Sequence, residues 1–198
     1  MIAVVDYKAG NLTSVMKTLR AAGADPLLTE DPQTVLRADK IILPGVGHFA
    51  ATSFLAERGL KDAMQQRISA GVPFLGICVG LQWLFSGSTE APEVQGLGAF
   101  TGMCDRFAPG KKIPHVGWNS LSIRPGSRLF EGIADQSFVY FTHSYRAPVI
   151  QDTVAVTNYD EPFTAAVERG NVMGVQFHPE KSGPAGLRIL ENFVRLAC

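Results

Sequence analysis

The sequence is poor in cysteine and has no cysteine pattern: Cys78, Cys104 and Cys198 are odd in number, far apart, and form no CxxC pair. That spacing excludes the usual zinc-ligand sets and a disulfide framework, and it is read as reduced thiols in a cytoplasmic protein. An excess of one charge is also missing. Lys+Arg and Asp+Glu both number 18, so the formal net charge is +0 and no overall field gathers nucleic acid or an anionic membrane. No apolar run approaches the roughly 18 residues of a membrane span. The opening "MIAVVDYKAGN" has no basic leader, long apolar segment or small-residue cleavage site, and is expected to be a first core strand. Neither G-x-G-x-x-G nor a P-loop is present, which removes the common phosphate cradles. No internal repeat, low-complexity tract or linker is visible.

What is present is a chain of 198 residues with 46% hydrophobic content, enough to bury a sizeable core as one unit over residues 1–198. The first half alternates in type. "IAVVD", "KIILPG" and "VPFLGI" are buried-strand runs, whereas 11–22 (with Leu12, Val15, Met16 and Leu19) and 60–70 carry helical spacing, the first stopped by Gly23. Apolar strands alternating with amphipathic helices imply an α/β fold: an open, mostly parallel central sheet flanked by helices. After about residue 95 the segments shorten and alternate: "GMCDRF", "VGWNSLSI", "SFVYF", "TVAVTNY", "FTAAVERG" and "NVMGVQF". These predict additional antiparallel strands in the second half, followed by a final helix from about Gly186.

The run "PFLGICVGLQWLF" is strand, then Gly-x-Cys-x-Gly, then an apolar helix. A sharp strand-to-helix turn lifts its central residue above the sheet and leaves room for little more than hydrogen two positions away on each side, here Gly76 and Gly80. Cys78 would occupy a nucleophile elbow at a helix start, where backbone amides favour a thiolate and an oxyanion. The alternative is a buried thiol that fills space, the ordinary fate of a lone cysteine in an apolar stretch. A nucleophile needs a base, and of four histidines only His178 ends a strand-like run with a carboxylate close by, in "GVQFHPEKS". Pro179 favours an extended His178, which places Glu180 on the same face to hold the imidazole. Alone, His-Pro-Glu is more often a surface turn; paired with the elbow it forms a coherent Cys-His-Glu set. In "LPGVGHF", Gly45, Val46 and Gly47 could turn amides toward a ligand and complete an oxyanion hole with the Val79 amide, or could simply be a tight βα turn. His48 is read as a loop or capping residue, and Cys104 and Cys198 as structural or surface thiols.

"GICVGLQ" with "QFHPE" resembles the class I, triad-type glutamine amidotransferases. The blocks "DYKAGNLTSV", "ILPGVGHF", "GLGAFTGMCDRF", "KIPHVGWN", "YFTHSY" and "GVQFHPEKSG" follow the order of the glutaminase subunits of imidazole glycerol phosphate synthase, over nearly the whole chain. The resemblance implies a flavodoxin-like α/β fold and hydrolysis of glutamine, with Cys78 as nucleophile, His178 as general acid and base, and Glu180 as its orienter. It implies no cofactor and no metal. Gln82, one helical turn past Cys78, and Thr142, His143, Ser144 and Tyr145 would hold the amino-acid end of glutamine, although "THSY" could be an ordinary edge strand. The implied partner is a (β/α)₈-barrel cyclase forming a heterodimer, with Asn11, Trp118, Asn119, Tyr140 and Lys181 at interface or signalling positions. For Trp118 simple core packing is the other reading. Val79, Leu81, Lys8 and Thr142 depart from the usual pattern, and Lys8, where glycine is expected, lies in a loop near the implied interface. A glutaminase of another synthase, or a non-catalytic binding module on the same fold, are the competing readings.

Overall fold

The computed structural model describes residues 1–9, 12–108, 110 and 112–197; Asn11, expected at an interface, and Cys198 lie outside the described residues. Strand β1 (Ile2–Val5) is buried at every position, as its unbroken apolar run requires. Helix α1 (Leu12–Ala21) turns Val15, Met16 and Leu19 inward, and Gly23, at φ +83°, reverses the chain into β2 (Pro26–Thr29), an edge strand that the sequence reading did not resolve. Asp31 caps α2 (Pro32–Leu36), its carboxylate accepting from the Gln33 and Thr34 amides at 3.1 and 3.0 Å. After the buried strand β3 (Lys40–Gly45), His48 accepts from the Ala50 amide at 3.1 Å and caps a 3₁₀ turn at Phe49–Thr52, the capping role expected of it. Helices α3 (Ser53–Glu57) and α4 (Leu60–Ser69) lead into β4 (Phe74–Cys78) and then α5 (Val79–Leu84), whose six residues are all buried.

The second half supplies short strands: β5 (Gly87–Ser88), β6 (Met103–Arg106), β7 (His115–Ser120), β8 (Ser122–Ile123), β9 (Phe138–His143) and β10 (Tyr145–Arg146). They are followed by β11 (Thr153–Tyr159), β12 (Glu161–Arg169), β13 (Val172–Val175) and α6 (Gly183–Arg195). Helix α6 begins ahead of Gly186. That glycine is a close approach rather than a start signal, since a Cβ there would lie 2.0 Å from the Pro179 carbonyl oxygen.

The main sheet has eight strands in the order β2-β1-β3-β4-β13-β12-β11-β8. Its pairings from β2 to β13 are parallel and those from β13 to β8 antiparallel, a mixed sheet with a parallel half. The segment "NVMGVQF", expected among the antiparallel hairpins, does form one, β13 pairing antiparallel with β12, but its other edge lies parallel beside β4, with Val175 opposite Ile77. It is buried at all four positions, and a Cβ on Gly174 would meet Leu84 and Leu81 at 3.1 and 3.2 Å, so it fits the sheet centre under α5. The C-terminal ends of β4 and β13 therefore sit side by side. Two small sheets, β10-β6-β5 and the antiparallel pair β7-β9, stand apart from the main one. No helix among the described residues is long and apolar enough to cross a membrane.

Candidate active site

Cys78 ends β4 at φ +55°, ψ −106°, left-handed backbone that a residue with a Cβ adopts at a cost of about 1–3 kcal/mol. The flanking glycines make the turn possible. A Cβ on Gly76 would lie 2.4 Å from the Gly80 carbonyl oxygen, and one on Gly80 would lie 1.9 Å from that of Leu43, so α5 closes onto β3 and β4 with only hydrogen between them. Cys78 is 3% exposed, which by itself fits the space-filling reading. Its surroundings do not.

His178 follows β13, its amide donating to the Tyr140 carbonyl at 2.9 Å and its carbonyl accepting from Ser182 Oγ at 2.6 Å. Ser182 Oγ in turn accepts from the Tyr140 amide at 2.9 Å, so β9 and the turn at Pro179–Lys181 clamp the histidine backbone. His178 Nδ1 and Glu180 Oε1 are 2.9 Å apart, with side chains 1% and 2% exposed. A carboxylate only accepts, so Nδ1 carries the proton and Nε2 is left toward Cys78. Among the described residues Nε2 makes no hydrogen bond of ordinary geometry. Burial pulls the His178 pKa down, but the charge of Cys78 and then the Glu180 carboxylate outweigh it, and the value is raised to about 10. Cys78 Sγ itself lies 4.0 Å from the Thr142 carbonyl, the acceptor its thiol faces.

A cavity of about 180 Å³ opens at Cys78, lined by Gly47, Val79, Gln82 and the Thr142–Tyr145 segment, and also by Glu90 and Pro114. It is smaller than the ~300–1,000 Å³ of drug-sized sites and suits a single amino acid. Of Cys78, His178 and Glu180 only Cys78 lines it, and three larger cavities, of about 710, 480 and 390 Å³, lie elsewhere and include none of the three. Glu90 and Pro114 were not singled out from sequence, because both sit in irregular segments without periodicity. Glu90 is fixed by accepting from the Phe49 amide at 2.8 Å. Of the expected oxyanion loop, Gly47 (φ +98°) reaches the cavity wall, whereas Gly45 and Val46 do not line it. Gly45 is packed instead: a Cβ there would lie 2.0 Å from the Tyr7 hydroxyl and 2.9 Å from Val79 Cβ. That hydroxyl is buried with no hydrogen-bond partner among the described residues, and burial, then the charge of Cys78, push its pKa up.

Gln82 spends its amide nitrogen inside the protein, donating to the Tyr145 carbonyl at 3.1 Å and to Gln176 Oε1 at 3.2 Å. Only its oxygen remains to offer a ligand. His143 has both ring nitrogens engaged, Nδ1 with the Tyr145 carbonyl at 2.8 Å and Nε2 with His115 Nδ1 at 3.1 Å. Burial holds its pKa down to about 3, against the Tyr145 bond and with the charges of His115 and His178; it is neutral at physiological pH.

Trp118 is 55% exposed and packs edge-on against Tyr140 at 6.1 Å, which rules out simple core packing; Lys181 Nζ sits 5.7 Å over the Tyr140 ring. Asn119 is turned inward, donating to the Asn158 carbonyl at 3.0 Å and accepting from the Ser120 amide at 2.9 Å. Lys8 adopts φ +66°, which explains why glycine is the expected residue, and its ammonium pairs with Glu30 at 2.9 Å.

Residues 3–197 match the sequence profile of the family described as "Glutamine amidotransferase class-I". The chain belongs to this family. This amidotransferase is 49% identical over 197 residues to "Imidazole glycerol phosphate synthase subunit HisH" of Methanothermobacter thermautotrophicus, covering 99% of this chain and 98% of that protein. It is 50% identical over 202 residues to the protein of the same name from Thermococcus kodakarensis, covering 99% and 100%. Two solved structures share the fold: "Crystal structure of glutamine amidotransferase" (TM-score 0.77, 20% identity, 98% and 100% covered) and "Structure of PurLQS from Thermotoga maritima" (TM-score 0.75, 21% identity, 98% and 96% covered).

Proposed function

We propose that this chain is the glutaminase subunit of an imidazole glycerol phosphate synthase, hydrolysing L-glutamine to glutamate and ammonia through Cys78, His178 and Glu180. The observation that carries the reading is the meeting of a glycine-flanked Cys78, which lines an amino-acid-sized cavity, with the buried His178–Glu180 pair at adjacent parallel strand ends. The relatives, about half identical over nearly their full length, supply the synthase.

His178 holds the thiol proton, and the Cys78 sulfur attacks the carboxamide carbon. The charge that moves to oxygen meets backbone amides at Val79 and the 45–47 loop, of which Gly47 borders the cavity. His178 then protonates the departing nitrogen, the C–N bond breaks, and a glutamyl thioester remains on Cys78. Water attacks the thioester, giving its proton to His178; the C–S bond breaks and glutamate leaves. Glu180 keeps the imidazole in the tautomer that both halves need. At the far end of the cavity the Gln82 oxygen and the Glu90 carboxylate are acceptors suited to the α-ammonium, with the 142–145 backbone alongside.

The ammonia would pass to a (β/α)₈-barrel cyclase that forms imidazole glycerol phosphate and AICAR. An exposed face of β7 and β9 carrying Val116, Trp118 and Phe138 supports that docking, because Thr142, further along β9, lines the cavity. Trp118, Tyr140 and Lys181 belong to this face, and docking and ligand binding in the cyclase complete the oxyanion hole. Glutamate release is to be measured for this chain alone, with a cyclase subunit, and with the cyclase plus its ribulosyl ligand, with Cys78→Ala as control. Strong release only in the full mixture, lost in Cys78→Ala, is expected. Equal turnover in all three mixtures overturns the coupling, and turnover by Cys78→Ala overturns the triad.

A further inference from the structure

Gln176 follows β13 two positions before His178, is fully buried, and lies between Gln82 and Cys78. Hydrogen-bond chemistry fixes how its amide faces. The Tyr145 carbonyl can only accept, so the Gln82 atom 3.1 Å away is the amide nitrogen. That nitrogen is 3.2 Å from the Gln176 side chain, whose facing atom must accept and is Oε1. Nε2 of Gln176 is thereby turned toward Cys78 Sγ, 3.6 Å away. Flipping the first amide would set oxygen against oxygen, and flipping the second would set N–H against N–H. The Gln176 backbone is held as well, its amide donating to the Ala165 carbonyl at 2.8 Å.

We propose that Gln176 is a further catalytic residue: its side-chain N–H donates to the Cys78 sulfur and stabilises the thiolate form of the nucleophile. The proposal rests on the reading of Cys78 as the glutaminase nucleophile. An N–H bond to an anionic sulfur is stronger than one to a neutral thiol, so the donor favours the ionised state before glutamine arrives. When sulfur bonds to carbon the negative charge passes to oxygen and this hydrogen bond weakens. Gln176 therefore enlarges the reactive population at some cost in intrinsic nucleophilicity. The other groups acting on Cys78 are the Thr142 carbonyl, 4.0 Å from Sγ, His178 with Glu180 behind it, and Tyr7; Glu90, His143 and Tyr145 line the same cavity.

The two effects have opposite signs, and their separation by pH is the test. Removing a donor to a charged group lowers the thiolate fraction about tenfold under acidic conditions. The thiolate that does form is about threefold more reactive, since nucleophilicity rises with thiol basicity with a Brønsted coefficient of about 0.4–0.5. For Gln176→Met in the full-length chain, the alkylation rate of Cys78 by iodoacetamide, followed by mass spectrometry of its peptide, is expected to fall about threefold at low pH. At high pH, where all the thiol is ionised, it should rise about threefold above wild type, so the two profiles cross. Gln176→Glu, which sets an acceptor against sulfur, should move the low-pH limb further down. Wild-type profiles in both variants overturn the proposal, and so does a uniform loss at every pH, the signature of a packing defect. Should neither variant fold, the side-chain amide proton of wild-type Gln176 is followed by NMR; it is expected to shift in step with Cys78 ionisation, and a pH-invariant resonance overturns the proposal. Alkylation of Cys78 that leaves glutamate release intact would instead overturn the glutaminase role, whatever Gln176 does.

Discussion

Two buried histidines with opposite shifts should give this protein a stability maximum near pH 6.5. His143 is held down to about 3, so acidification protonates it in the unfolded chain, where the ordinary value is about 6.5, long before it does so in the native one. The unfolded state then binds more protons, and stability falls as pH drops through the window from 6.5 toward 3. Between pH 6.5 and 4.5 the loss comes to about 2 kcal/mol, and at pH 4.5 the titration of most paired carboxylates is still to come. For a chain of this length that corresponds to a fall in Tm of about 4–8 °C. His178 is raised to about 10, so its contribution is complete below 6.5, adds no slope there, and is lost as pH climbs from 6.5 toward 10. The assay is urea unfolding at half-unit pH intervals, together with NMR titration of the imidazole C–H resonances. In Cys78→Ala the alkaline limb should flatten, because the charge that does most to raise His178 is gone. A His143 resonance titrating near 6.5, or equal stability at pH 6.5 and 4.5, would refute the argument.

Gly80→Ala should lose glutaminase activity and more than about 3 kcal/mol of stability, because its Cβ would strike a backbone oxygen at 1.9 Å rather than a side chain that can yield; near-wild-type unfolding would show that α5 can shift. Glu180→Gln should keep the fold but lower kcat for glutamine by about two to four orders of magnitude, since an amide can hold His178 in the wrong tautomer; steady-state kinetics with the partner bound checks this. Tyr7→Phe removes a buried hydroxyl with no partner among the described residues and should raise stability by about 1 kcal/mol in thermal unfolding, whereas a loss would mean that the hydroxyl is bonded in solution. Trp118→Ala, at a site 55% exposed, should leave Tm almost unchanged and weaken cyclase binding at least tenfold in calorimetry.

The turn at Cys78 was legible because its geometry is written in local sequence: the glycines of "GICVG" stand where a Cβ would meet backbone at 2.4 and 1.9 Å. The contact of His178 with Glu180 was legible for a similar reason, a proline fixing the chain between them. Strand order was not legible from periodicity. Alternation in "NVMGVQF" gives a strand and its hairpin with β12, but not its second neighbour: β13, buried at every position, also lies parallel against β4. Gln176 passed unnoticed because a lone polar residue in an apolar run carries no periodic signal, and its partners lie 94 and 98 residues away. For Asn119 the sequence carried no sign of its bond to the Asn158 carbonyl, 39 residues away.

The placement of β13 between β4 and β12 bears on how the protein comes into being. Cys78 leaves the ribosome about a hundred residues before the strand that brings His178 beside it, and in that interval β4 has a bare edge. His178 reaches Cys78 only when the last strand in the sequence takes its place in the middle of the sheet. Completion of the main sheet and the meeting of Cys78 with His178 are then a single event.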